Sequence, residues 1–294
     1  MAIAISRRSF LVGAGAAAGM AFADGFAERP LVRFGVFTDA HYKEGSASSG
    51  LVFGCARERV RTCVDVMNVR RPDFMIELGD FKDTNVRGAA GRDAALGFLE
   101  TIEAGYARFN GTRYHVIGNH DTDSLTKAEV LGAFAGSATA GRAYYSFDVN
   151  GVRFIVLDTN YMGEAESDSY SAYNWLNAAT TPYLSAMQLD WLDAQLVSAT
   201  GPCIVFSHHR LDSAGGVNKI VNYEKVGRIF RRRGNVKAVF CGHDHAGATL
   251  LENGVYHHCC RALGQNASDN PNRFFEVSYY PTGGISVLGF TTTA

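Results

Sequence analysis

A chain of 294 residues, 47% hydrophobic and carrying 28 basic against 29 acidic side chains, can bury one large core or two small ones. That balance excludes the broad basic face that nucleic acid or an anionic membrane would require. Local positive charge is concentrated in Arg231-Arg232-Arg233, which reads less as a binding patch than as cations complementing the end of a helix that stops at Gly234.

The amino terminus reads separately. Ser6-Arg7-Arg8-Ser9-Phe10-Leu11 resembles the twin-arginine export signal, and a Gly/Ala stretch and Ala21-Phe22-Ala23, a small-residue cleavage sequence, follow it. Residues 11–23 fall short of the roughly 20 apolar residues that span a bilayer, so no stable membrane anchor is expected. The expectation is a signal peptide over residues 1–23 that meets the twin-arginine export machinery transiently and is then removed. The mature domain, residues 24–294, would be periplasmic or secreted. That route carries proteins already folded, which suits an enzyme loaded with metal before export. Gly13 to Gly19 mimics a nucleotide-binding glycine loop, but its last spacing is wrong and no strand precedes it.

Residues 31–38 are apolar and β-branched, the pattern of a buried strand, and deliver Asp39 and His41 at its end. Val60, Cys63, Val64 and Met67 recur at helical spacing over residues 56–69, and Arg71-Pro72 stops that helix. A strand over 74–78 leads into Gly79-Asp80. A helix over 92–107 and a strand over 114–117 then lead into Gly118-Asn119-His120-Asp121. This βαβαβ order places the polar blocks at strand C-termini, where loops converge and ligands bind in open α/β sheets.

Thr126-Lys127-Ala128-Glu129 has capping-box spacing and opens a short helix. Strands over 144–149 and 152–157 flank Asn150-Gly151, a strong hairpin signal. After a long loop, Ser185 caps a helix whose Leu189, Leu192 and Leu196 share one face. The strand over 203–206 ends at Ser207-His208-His209, and that over 236–241 ends at Gly242-His243-Asp244-His245. Three further strands, over 254–259, 274–280 and 285–290, suit antiparallel pairing in a second sheet. No internal repeat or low-complexity linker divides the mature chain.

Five polar blocks thus stand in a fixed order: Asp39-Ala40-His41, Gly79-Asp80, Gly118-Asn119-His120-Asp121, His208 and Gly242-His243-Asp244-His245. Of nine histidines, five lie in the blocks and His209 adjoins one. Carboxylate and imidazole together suit borderline transition metals, and a shared carboxylate holds two ions about 3.5 to 4 Å apart.

The pattern resembles the calcineurin-like metallophosphoesterase superfamily, whose motifs are D-x-H, G-D-x-x-D, G-N-H-D/E, a lone H and G-H-x-H. The resemblance spans essentially the whole mature chain. It implies an α/β fold, a two-sheet β-sandwich flanked by helices with a dinuclear site at strand C-terminal ends. One ion would be held by Asp39, His41, Asp80 and His245; the second by Asp80, Asn119, His208 and His243, with Asp80 bridging. Two divalent or trivalent ions, manganese, iron or zinc, would hydrolyse a small phosphorylated substrate, a phosphomonoester or phosphodiester, through an ion-bound hydroxide. His120 is assigned to transition-state charge and leaving-group protonation, with Asp121 orienting its imidazole. Asp83 stands where purple acid phosphatases carry tyrosine, so their tyrosine-to-iron colour is not expected.

The alternative is a non-catalytic metal- or phosphate-binding protein on the same fold. His120 argues against it, since binding alone requires no acid beside the ions. His209 reads as a substrate contact, or as the true ligand in a shifted register. Tyr42, Lys43, Asn160, Tyr161 and Arg210 follow strand ends, facing the cleft or solvated at the surface. His115 reads as buried structure, Trp175 as a cap on substrate or packed against the body, and the family pattern assigns His257 and His258 no role. Cys55, Cys63, Cys203, Cys241, Cys259 and Cys260 form no CxxC pair. A Cys203–Cys241 bridge between neighbouring strands is the alternative to the expected buried free thiols.

Overall fold

The computed structural model describes residues 28–45, 51, 53–139, 141–163, 182–265 and 272–292. The expected signal peptide and Trp175 lie outside these residues.

The chain opens with two β-α-β units: β1 (Val32–Phe37), α1 (Ala56–Arg70), β2 (Phe74–Glu77), α2 (Arg92–Tyr106) and β3 (Thr112–His115). β1, β2 and β3 pair in parallel. α1 stops where Arg71 turns left-handed, donating its N–H to the Met67 carbonyl, immediately before Pro72. The short α3 (Lys127–Ala133) opens on the expected capping box, the Thr126 hydroxyl and the Glu129 carboxylate each accepting the other's backbone N–H.

The second half supplies β4 (Tyr145–Val149), β5 (Val152–Val156), α4 (Ala186–Ser198), β6 (Cys203–Phe206), α5 (Tyr223–Arg233), β7 (Val236–Cys241), β8 (Ala248–Glu252), β9 (Val255–Cys259), β10 (Asn272–Tyr279) and β11 (Ile285–Thr291). Asn150 and Gly151 both take positive φ, as a two-residue hairpin between β4 and β5 requires. Gly234 caps α5 in the left-handed region, and Arg232 and Arg233 pair with Asp193.

The sheets have strand orders β11-β10-β1-β2-β3 and β4-β5-β6-β7-β9-β8. The tail strands therefore do not form a second sheet of their own. β9 runs parallel to β7, whereas β10 crosses to the first sheet and pairs antiparallel with β1. The reason is that β10 is apolar on both faces: Phe274 enters the core beneath the helices, and Phe275 and Val277 enter the core between the sheets. Such a strand belongs inside a sheet covered on both sides.

Phe34, Phe74, Phe154, Phe206 and Phe240 interlock between the sheets, with Phe34 and Phe74 stacked at 5.2 Å. Each such burial is worth about 2 to 3 kcal/mol. A second apolar cluster, from α1, α2 and α3, covers the outer face of the first sheet, and a third, from α4 and α5, covers the other. With both sheets fixed in this way, the ends of β1, β2, β3, β6 and β7 converge at one edge. All six cysteines are free. Cys203 starts β6 opposite Val236, whereas Cys241 ends β7, so the strand register holds that pair apart.

Candidate metal centre

The five blocks leave their strands through unusual backbone. Asp39, His41, Asp80 and His243 all take positive φ, four of the seven non-glycine residues that do so among those described. L-residues resist that region by about 1 kcal/mol or more each, so the surrounding fold must hold these donors in place. It does so partly by continuing strand pairing into the loops, where Asp39 N–H donates to Gly79 O and His41 N–H to Asp80 O. Two glycines allow the blocks to touch. A Cβ on Gly118 would lie 2.1 Å from Asp80 N, and one on Gly242 would lie 2.0 Å from Thr38 Oγ1.

One donor group gathers at Asp39. His41 Nε2 and His245 Nε2 face each other at 3.2 Å, and Asp39 Oδ1 lies 3.6 Å from the first and 3.3 Å from the second. Asp80 Oδ2 is 3.6 Å from His41 Nε2 and 3.3 Å from His208 Nε2. His208 Nε2 in turn lies 3.0 Å from Asn119 Oδ1, and the His208 ring lies 5.1 Å from that of His243. The structure thus brings together all seven residues that the resemblance marks as ligands, with Asp80 between the two groups.

These residues fit bound cations. Asp39 Oδ1 is buried and makes no hydrogen bond among the described residues, an arrangement that costs a carboxylate dearly unless a cation completes it. Donor separations of 3.0 to 3.6 Å match the edges of a shell whose ligands stand about 2.1 Å from one ion. Supporting contacts aim the donors. Asp39 Oδ2 accepts the Thr38 hydroxyl and the His243 N–H. His208 Nδ1 donates to the Leu78 carbonyl at 2.8 Å; since that carbonyl can only accept, the Nε2 lone pair is left to face the site.

Electrostatics point the same way. Burial would raise Asp39 and Asp80, but the surrounding imidazoles hold both well below the usual carboxylate range. Burial would lower His41, yet Asp39 and Asp83 raise it to about 10; Asp80 likewise raises His208 to about 9. His243 is pushed down to about 3 by burial and by His208. Around Asp39 and Asp80, a field that favours imidazolium at His41 and His208 also favours a metal cation.

His120 stands at the rim, its ring 4.7 Å from that of His41. Asp121 does not orient it. Both Asp121 oxygens are taken by the backbone N–H groups of Asp80, Phe81, Lys82 and Gly118, so Asp121 shapes the loop and does not address the imidazole. The carboxylates that face His120 Nδ1 are Asp83 at 3.6 Å and Asp123 at 3.8 Å. Asp83 also stands 3.4 Å from His41 Nδ1. As the last letter of G-D-x-x-D, Asp83 was open to detection by motif; Asp123 carries no sequence signal beyond its nearness to His120.

The remaining candidates are mostly interior. Tyr42, Asn160, Tyr161 and Arg210 are buried, contrary to a solvated position. Arg210 is spent on Asp212 and Asp244. Lys43 lies over the Phe53 ring and donates to Thr84 O. His209 is buried, its Nδ1 is 2.7 Å from Thr159 Oγ1, and its ring packs on His243. It shares with His208 and His243 a spacing that could hold a cation, so it borders the second donor group, and it presents no open face to a substrate. His115 is buried structure, as expected. His258 contacts Thr249 and Tyr256, away from the centre.

Comparison with known proteins agrees with this geometry. Residues 32–247 match the family model described as calcineurin-like phosphoesterase. A manganese-dependent ADP-ribose/CDP-alcohol diphosphatase of Oryza sativa is 25% identical over 86% of this chain and 89% of its own. A serine/threonine-protein phosphatase, CPPED1 of Mus musculus, is 32% identical over 45% of this chain and 41% of its own. Among solved structures, a dimetal phosphatase from Danio rerio superposes with a TM-score of 0.76 at 20% identity, covering 90% of this chain and 97% of that one. The chain belongs to the calcineurin-like phosphoesterase family.

Proposed function

We propose that this metal-dependent phosphoester hydrolase is an exported enzyme that works with manganese in a two-ion centre and cleaves a small nucleotide-linked diphosphate. The observation that carries the reading is the position of Asp80 between two donor groups, with His120 at their rim. The substrate class is drawn from the relatives that align over most of this chain, both manganese-dependent ADP-ribose/CDP-alcohol diphosphatases.

Asp39, His41, Asp80 and His245 would hold one ion, and Asp80, Asn119, His208 and His243 the other. Bound there, the ions would lower the pKa of a water and neutralise phosphoryl charge. The chain's own residues do the rest. Asp83, facing His120 Nδ1, turns Nε2 of that ring toward the cleft. From Nε2, His120 donates a proton to the departing oxygen. The buried ligand wall restricts bulk water to the side that substrate enters.

Manganese-loaded protein assayed on ADP-ribose, a CDP-alcohol, p-nitrophenyl phosphate and bis-p-nitrophenyl phosphate tests this. A kcat/KM for the diphosphates at least about tenfold above the nitrophenyl esters is expected. Preference for a simple ester would overturn the substrate class. Turnover of none would favour the non-catalytic binding protein.

Export is supported by Arg7-Arg8 and the small-residue sequence after it. Replacing both arginines by lysine should leave the protein in the cytoplasm of its exporting host; unchanged fractionation would refute that route.

A further inference from the structure

Lys82 is fully buried, a place where an ammonium persists only if paired. Its Nζ donates to the Asp123 carboxylate and to the His120 backbone carbonyl. Asp123 gives one oxygen to Lys82, while its Oδ2 makes no hydrogen bond among the described residues and stands 3.8 Å from His120 Nδ1. Asp83 addresses the same nitrogen but is shared with His41 and Lys43. Asp83, His120 and Asp123 also satisfy the spacing of a metal site, but the Lys82 ammonium already supplies the positive charge there.

A buried ion pair adds little stability over an apolar pair of the same volume. What this one does have is two grips on a single residue: Lys82 holds the His120 main chain, and Asp123 faces its ring. We propose that Lys82 and Asp123 are a positioning pair for His120, locking its backbone and ring together so that Nε2 stays aimed at the leaving oxygen. Neither residue touches substrate. The inference rests on the reading of His120 as the leaving-group acid.

The test compares Lys82→Met, Asp123→Asn, the double variant and His120→Ala on aryl and alkyl esters of one phosphate, all loaded with manganese. The positioning role expects kcat on the alkyl ester to fall about 10- to 100-fold in each single variant, with KM within about twofold and the aryl ester nearly unaffected. The double variant should cost no more than the worse single one, as for residues acting as a unit. In metal-free protein, amide exchange at residues 119–124 should rise in Lys82→Met. Equal losses on both esters, or no loss with unchanged exchange, would overturn the proposal. If Lys82→Met fails to fold, the charge-neutral double variant decides on the same readouts. His120→Ala separates the two readings. If it lacks leaving-group selectivity, the acid assignment fails; if it has that selectivity and the pair does not, only the present inference fails.

Discussion

Asp80 Oδ1 accepts the backbone N–H of His120 at 2.7 Å, so the residue that stands between the donor groups also fixes the loop carrying His120. Its other oxygen faces His208 Nε2. Asp80→Ala removes both functions. Metal analysis after dialysis should find the protein depleted of metal, because Asp80 stands between the two donor groups. Retention of wild-type metal content would refute the sharing.

Asp121→Ala should behave differently from an active-site variant. Its carboxylate accepts four backbone N–H groups from two loops, and leaving buried donors unpaired costs about 1 to 3 kcal/mol each when they do not relax. Urea denaturation of the metal-free protein should show a loss of about 4 kcal/mol, the low end for four donors. Activity recovered at saturating manganese should keep the wild-type balance between aryl and alkyl esters. A selective loss on alkyl esters would restore Asp121 as the partner of His120.

These two carboxylates show what the sequence could and could not reveal. The clustering of the polar blocks was legible because each follows an apolar strand, and strand ends of a parallel sheet must meet at one edge. Asp121 misled because adjacency to His120 suggests contact, whereas consecutive residues in a tight loop point apart. The placement of β10 was hidden for a similar reason: its apolar residues announce a buried strand, but alternation cannot say which sheet will bury it. β8 lies outside the expected set because Leu250 and Leu251 sit among exposed neighbours at a sheet edge. Lys82 carries no signal in the sequence, and its enclosure is visible only in the fold.

Gly118→Ala should abolish the centre while sparing most of the fold. The added methyl would meet Asp80 N at 2.1 Å and Asp80 Oδ1 at 2.3 Å, and the backbone atom cannot swing aside as a flexible side chain would. Circular dichroism should stay near wild type as manganese binding disappears in a calorimetric titration. Binding within about threefold of wild type, some 0.6 kcal/mol, would mean that the two strand ends can separate without loss of the site.

A pH test reaches beneath the centre. His115 Nδ1 lies 3.0 Å from Glu77 Oε1, its Nε2 lies 3.3 Å from Glu103 Oε2, and its ring stacks on Phe134. Burial pushes the imidazolium down, but Glu103 and Glu77 more than offset this and raise the pKa from 6.5 to about 9. The folded state therefore holds the proton more tightly than the unfolded chain. Its contribution is fully present below pH 6.5 and is lost as pH rises through 9. Glu77, raised by burial from 4.5 to about 7, acts with the same sign in a lower window. His41 and His208 also titrate and cancel in the difference between wild type and His115→Gln, which therefore reports His115 together with the Glu77 and Glu103 carboxylates it faces. Urea unfolding from pH 6.5 to 9 should show wild type losing on the order of 3 kcal/mol more than His115→Gln. Parallel profiles would mean that His115 is neutral in the folded protein and that the Glu77–His115–Glu103 cluster is held by hydrogen bonds without the imidazolium charge.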